Sequence, residues 1–277
     1  VENGTKTTKF RNVVYEYSLS KAITDGYVKE PSVATRKNFD QSQYKDDPAR
    51  LDQIKIEDGI RLHEDTKVAL DIYARDTKTT RVKPFILIVA KETNHAREIK
   101  NLIQSDGFFN GRYADKVIEV HSNQSGEEKD ETIAELVSLE DPSNTTEIVI
   151  HVNMLKEGWD VTNLYTIVPL RTAASMTLRE QTIGRGLRLP YGKRTGVEKV
   201  DRLTIVSHDK FQEIIDEANK PNSIIKLANI IEIEEQDLEK EKVVITAPNK
   251  TIAKFEEEEK AIETLATVEE KVTATAV

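Results

Sequence analysis

Five stretches of the chain are apolar almost without interruption: PFILIVA (84–90), KVIEV (116–120), EIVIHV (147–152), LYTIVPL (164–170) and RLTIVS (202–207). A strand with one face in water alternates apolar and polar residues, whereas these runs of Val, Ile and Leu do not. They therefore predict strands covered on both faces, as in a parallel sheet. Helical stretches fall between most of them. One spans Thr93–Gln104, a second opens at the capping box Ser125-Gly-Glu-Glu128 and stops near Asp141-Pro142, and a third opens at the capping box Thr177-Leu-Arg-Glu180. A fourth runs from Asp209 to Asn219. Strand and helix alternating in this way predict a three-layer α/β domain with a mostly parallel sheet over residues 83–222.

Residues 1–82 break the rhythm. They are mixed and polar, with turn signals at Asp25-Gly26 and Asp46-Asp47-Pro48, and with two helical stretches, Leu51–Ile60 and Thr66–Arg75. They are expected to form an N-terminal arm or linker packed on the domain. After Lys220-Pro221 the chain becomes charged and repetitive, including EEEEK at 256–260, and residues 223–277 are expected to form a peripheral charged extension.

Charge sharpens this division. The net charge is −9. Residues 230–277 hold 13 acidic and 6 basic residues, whereas residues 171–202 hold 8 basic and 3 acidic ones. A local basic field can bind phosphates whatever the total charge. Its centre is REQTIGRGLRLP (179–190), where Gln181, Arg185 and Arg188 share one helical face and Ile183 and Leu187 lie roughly opposite.

Several chemistries lack their residues. Cysteine is absent, which excludes disulfides and thiolate metal sites and suits a reducing compartment. The five histidines, His63, His95, His121, His151 and His208, have no paired ligand spacing, so no metal site is expected. No Gly-x-Ser-x-Gly elbow exists. A phosphate-binding loop needs Gly-x4-Gly-Lys-Ser/Thr after a strand, and the nearest approach, Gly186 to Gly192-Lys193, fails on spacing, chemistry and context. The longest apolar run is far short of a membrane span. These features lead to the expectation of a cytoplasmic protein without membrane contact, and the first residue, Val1, to that of a piece of a longer chain.

Gln181-x-x-Gly184-Arg185-x-x-Arg188 resembles motif VI of superfamily-two helicases and translocases, and VNMLKEGWDVTNL (152–164) resembles their motif V. The resemblance runs through 85–190 in the family's order, with motif IV near ILIVAKETNHA and then VHSNQS. RTAASMTLREQTIGRGLRLP (171–190) is most similar to the restriction (Res) subunit of type III restriction-modification enzymes. DGYVKEPSVATR (25–36) and IEDGIRLHEDTKVAL (56–70) resemble the segment ahead of its second motor domain. Helicases of the excision-repair type share the motif V loop but not GLRLP.

The resemblance implies a RecA-like second motor domain that closes over ATP and Mg2+ held mainly by a first RecA-like domain outside this chain. Arg185 and Arg188 would be arginine fingers on the γ-phosphate, where a planar, permanently charged donor fork matches phosphate oxygens. Gln181, Gly184, Gly158 and Asp160 would lie at the nucleotide, with Gly184 and Gly186 leaving room for the partner domain. Asn153, Lys156, Lys91, Thr93 and Ser122 would touch the DNA backbone without reading sequence. A turn cap is the alternative role for Asp160 and a packing anchor the simpler role for Trp159. The implied partners are double-stranded DNA and a methylating (Mod) subunit. A nuclease site would lie elsewhere, because Glu258-x-Lys260 has the letters without a strand around them. A non-catalytic nucleic-acid-binding or interaction module with a motor-like fold is the competing expectation.

Overall fold

The computed structural model describes residues 14–15, 17–37, 39–121, 127–152, 160–170, 183–208 and 229–234. All five expected strands are present: β2 (Phe85–Val89), β3 (Val117–His121), β4 (Ile148–Val152), β5 (Leu164–Pro169) and β6 (Arg202–Val206). Two more, β1 (Glu30–Arg36) and β7 (Ile230–Ile233), complete one sheet in the order β3-β4-β2-β5-β6-β1-β7. Every pairing is parallel. The central strands β2, β4 and β5 are buried along nearly their whole length, which is why their sequences do not alternate.

Helices cover both faces. Helix α2 (Pro48–Thr77) and helix α3 (Thr93–Gln104) pack Ile56, Ile60, Ala96, Ile99 and Ile103 against Ile86, Ile88, Ile148 and Ile150. On the other face, helix α4 (Glu127–Ser138) and residues 183–187 bring Leu136, Ile183 and Leu187 onto Leu87, Val149, Ile167 and Leu203. A short helix, α1 (Leu19–Thr24), adds Leu19 to the same cluster. The result is the expected three-layer α/β architecture.

Part of the segment expected to be an arm enters the sheet itself. Strand β1 lies between β6 and β7, pairing Glu30–Ala34 with Arg202–Val206 and Val33–Arg36 with Ile230–Ile233. The two helical stretches expected at 51–60 and 66–75 are one helix of 30 residues. It opens with Asp47 as N-cap, accepting from the Arg50 amide, and Pro48 in the first turn, and it closes on Lys78 in the left-handed region at φ 54°. Gly59 does not break it. A Cβ there would stand 2.6 Å from Val168 Cγ2, so this glycine brings α2 against β5. The 256–260 acidic run and the helix expected at 209–219 lie outside the described residues.

Candidate nucleotide and nucleic-acid site

Parallel strands sort the expected site residues onto two opposite edges of the sheet. Arg188 follows the helical residues 183–186, whose apolar side chains Ile183 and Leu187 are buried. It is therefore just beyond the helix rather than on its face, and its position is set by its neighbour. The Leu187 carbonyl accepts from the Lys29 amide at 2.7 Å, at the entry to β1. Asp160 stands four residues ahead of β5. Both chains thus reach the amino-terminal edge of the sheet. There Arg188 Nε meets Asp160 Oδ1 at 2.6 Å, with side chains 41% and 68% exposed. The two motifs expected to act together are joined by an ion pair open to solvent.

The glycines of this stretch behave differently from one another. Gly184 is exposed, and a Cβ on it would meet nothing within 4 Å, so it does leave open space. Gly186 does not: a Cβ there would lie 2.6 and 2.7 Å from the two methyls of Leu203. Its lack of a side chain serves the packing of this turn on β6, which corrects the expectation that it makes room for a partner. Arg185 is half-buried on the same turn.

Lys91 and Thr93 lie at the opposite, carboxyl-terminal edge, after β2. Thr93 is the exposed first residue of α3. Lys91 Nζ donates to Asp52 Oδ2 at 2.7 Å, and His95 Nε2 lies 3.1 Å from the same oxygen. The Lys91 amide donates to His95 Nδ1 at 3.1 Å, so the proton of the neutral ring sits on Nε2, facing Asp52. Burial alone raises the Asp52 carboxyl, but hydrogen bonds from His95 and Lys91 more than offset it and hold it below the usual range. Ser122, Asn153, Lys156, Gly158 and Gln181 lie outside the described residues.

Sequence reasoning missed the carboxylate that holds Lys91 and His95, because Asp52 is remote from them in sequence. It also missed two buried clusters. Asp58, fully buried on α2, accepts from Arg36 Nε at 2.6 Å and Nη2 at 2.9 Å, from Arg61 at 2.9 Å, and faces His208 Nε2 at 2.9 Å. Glu147 accepts from Lys67 at 2.8 Å and Lys116 at 2.9 Å and faces His63 Nε2 at 3.1 Å. Among the described residues His63, Glu64 and Glu147 are the one group near enough for shared ligation, with ligand atoms within 4.8 Å of one another. Two lysine ammonium groups already occupy the Glu147 oxygens, so the donor set suits an internal salt-bridge network better than a cation. Among the described residues no helix is long and apolar enough to cross a membrane.

Residues 70–190 match the family described as the helicase conserved C-terminal domain. The chain is similar to the Res subunit of the type III restriction-modification enzyme EcoPI from Escherichia phage P1, at 27% identity over 105 residues, 38% of this chain and 11% of that subunit. A fragment of a putative HsdR subunit of a type I restriction enzyme from Vibrio vulnificus YJ016 has a similar structure, with a TM-score of 0.47 and 20% identity over 80% of this chain and 40% of that one. The DNA-bound ATP-dependent type ISP enzyme LlaBIII gives a TM-score of 0.46 at 16% identity, over 79% of this chain and 16% of that one. This chain thus spans a small part of the relatives it matches. Its residues 70–190 match the helicase conserved C-terminal domain, and they supply β2 to β5, four of the seven strands of the parallel sheet.

Proposed function

We propose that the domain is the second RecA-like lobe of an ATP-dependent DNA translocase, the restriction subunit of a type III restriction-modification system. The observation that carries this reading is the Arg188–Asp160 pair. It joins the last arginine of motif VI to the aspartate of motif V at a solvent-open edge. An exposed ion pair is worth about 0–1 kcal/mol. A triphosphate arriving on a first lobe can therefore take the Arg188 guanidinium from Asp160 at little cost. A finger of this kind is worth roughly 10³–10⁵ in phosphoryl-transfer rate. Arg185 is the companion finger, and Gln181, Gly184 and Gly158 complete the nucleotide side.

On the other edge, Lys91 and Thr93 hold the phosphates of one strand of double-stranded DNA, a role shared with Ser122, Asn153 and Lys156, which lie outside the described residues. The first lobe supplies the phosphate-binding loop, ATP and Mg2+, so this chain alone hydrolyses no ATP. Target choice rests with a methylating (Mod) subunit, the nuclease lies elsewhere, and the setting is the cytoplasm. The test is Arg188→Ala in a protein holding both lobes. DNA-stimulated ATP hydrolysis should disappear while the unfolding midpoint moves little, and normal turnover would refute the finger role.

A further inference from the structure

The residue that holds the Arg188–Asp160 pair in place lies outside both motifs. Lys29 is fully buried, yet among the described residues no carboxylate is hydrogen-bonded to it. Its Nζ donates to the carbonyl of Thr162 at 2.8 Å and to that of Leu164 at 2.8 Å, and it sits 3.7 Å from the centroid of the Tyr165 ring. Three ammonium protons thus find two carbonyls and a π face. Burial pushes its pKa well below the usual lysine range, and Asp201 and Glu140 pull it back up. A buried lysine spent on main-chain carbonyls marks a place where backbone needs holding.

Those two carbonyls are informative. Strands β5 and β6 pair over Thr166 and Ile167, so Leu164 lies ahead of the first paired residue. Lys29 takes its carbonyl there and reaches back to Thr162, two residues after Asp160. At the same time the Lys29 amide holds the Leu187 carbonyl, one residue before Arg188. The main chain and side chain of a single residue therefore grip both segments whose side chains form the ion pair. Glu140 secures Thr162 from the other side, accepting from its hydroxyl at 2.7 Å and from its amide at 2.5 Å.

We propose that Lys29 is the positioning residue of this site, setting Asp160 opposite Arg188 through the Thr162 and Leu164 carbonyls. It touches no nucleotide and acts through the loop. Its importance to catalysis rests on the finger reading above, but its geometry does not.

The test uses the 277-residue chain labelled with 15N. The Nε–H resonance of Arg188 is identified by its disappearance in Arg188→Lys, and Asp160→Asn displaces it. In Lys29→Met, which keeps length and apolar stem but no donor, the resonance should move to its Asp160→Asn position. Adding Asp160→Asn should then shift it no further. A folded Lys29→Met chain whose Arg188 resonance stays in place overturns the proposal.

Should Lys29→Met fail to fold, Lys29→Gln, whose amide donor falls one bond short of the ammonium position and cannot hold both carbonyls, makes the same test, and an unmoved resonance there is equally fatal. In a protein with both lobes, Lys29→Met should lower kcat by about 10- to 100-fold, the range produced by a misplacement of about 1 Å, with KM for ATP unchanged. A displaced resonance with normal turnover, or normal turnover in Arg188→Ala, would sink the finger role and leave the positioning role standing.

Discussion

Gly184 and Gly186 stand two residues apart in one turn, and the structure assigns them opposite tolerances for a methyl group. At Gly184 a Cβ meets nothing within 4 Å, so Gly184→Ala adds only backbone preference, a gain of up to about 1 kcal/mol in a helix. At Gly186 the same group would sit 2.6 Å from Leu203 Cδ1, 2.7 Å from Cδ2 and 3.2 Å from Cγ. Leu203 is fully buried among Val161, Leu164, Ile183 and Leu187, so it has nowhere to retreat. Overpacking a filled core costs about 1–3 kcal/mol. Set against a propensity gain of under about 1 kcal/mol, Gly186→Ala should be destabilising by about 1–2 kcal/mol. The two variants should then differ by about 2 kcal/mol, or roughly 4–8 °C in Tm for a chain of this size. Thermal and urea unfolding followed by far-UV circular dichroism measures the difference. Shortening the obstructing side chain in Gly186→Ala/Leu203→Val should recover part of the loss, a positive coupling of about 1 kcal/mol. If Gly186→Ala proved as stable as Gly184→Ala, the close packing of this turn on β6 would be wrong.

The other expectations concern charge. Glu147→Gln leaves Lys67 and Lys116 without their carboxylate and should lower stability by about 3 kcal/mol, read from the urea midpoint. Burial raises the Glu147 carboxyl, but hydrogen bonds from His63, Lys67 and Lys116 outweigh it and hold it below its ordinary value of 4.5. The unfolded chain therefore takes up this proton first as pH falls, and stability present above pH 4.5 is lost progressively below it; Glu147→Gln should flatten that limb. Burial likewise lowers His63 from 6.5, so its contribution is complete above that value and begins to fall just below it, and His63→Gln should remove this earlier slope from a pH series of unfolding midpoints. Asp58→Asn strips the partner from Arg36 and Arg61 inside the protein and should cost about 3–5 kcal/mol, whereas Lys91→Ala should spare folding, weaken DNA binding uniformly across sequences and reduce the salt slope by about 1.

The five expected strands were legible as short runs rich in Val, Ile and Leu, most fully in β2, β4 and β5, which are buried along nearly their whole length. Strand β1 was not. Glu30-Pro-Ser-Val-Ala-Thr-Arg36 holds only two aliphatic residues, yet five of its positions are buried, including Ser32 and Thr35. Pro31, which argues against an inner strand, is tolerated because β7 joins β1 only from Val33 onward, so no β7 residue pairs opposite it. Gly59 fell inside the expected stretch 51–60, but that it marks the close approach of α2 to β5 had no signal in the sequence. Arg188 and Asp160 are 28 positions apart, and no periodicity connects them; only the likeness to helicase motifs linked them. Lys29 had no signal at all, since a lysine chosen to hold main-chain carbonyls is indistinguishable in sequence from one exposed to water.

Burial decides which of these cations can serve a ligand. Helix α2 presents two aspartates toward the carboxyl-terminal edge of the sheet, and each holds a cation there. Asp58 grips Arg36 and faces His208, with the Arg36 side chain 15% exposed and that of His208 fully buried. Exchanging that partnership for a phosphate would strand a buried charge at a cost of about 3–5 kcal/mol. Asp52 grips Lys91, whose side chain is 45% exposed while that of Asp52 is 8% exposed, so of this pair only the cation reaches solvent. At the opposite edge Arg188 is 41% exposed and Asp160 68%, and an exposed pair of this kind is worth about 0–1 kcal/mol. The same chemistry, a carboxylate holding a cation, therefore has two meanings in one sheet. Where the pair is sealed it fixes the fold. At Lys91 and Arg188 the cation reaches solvent, and the function proposed above has a phosphate take it from its carboxylate, nucleic acid at one edge and nucleotide at the other.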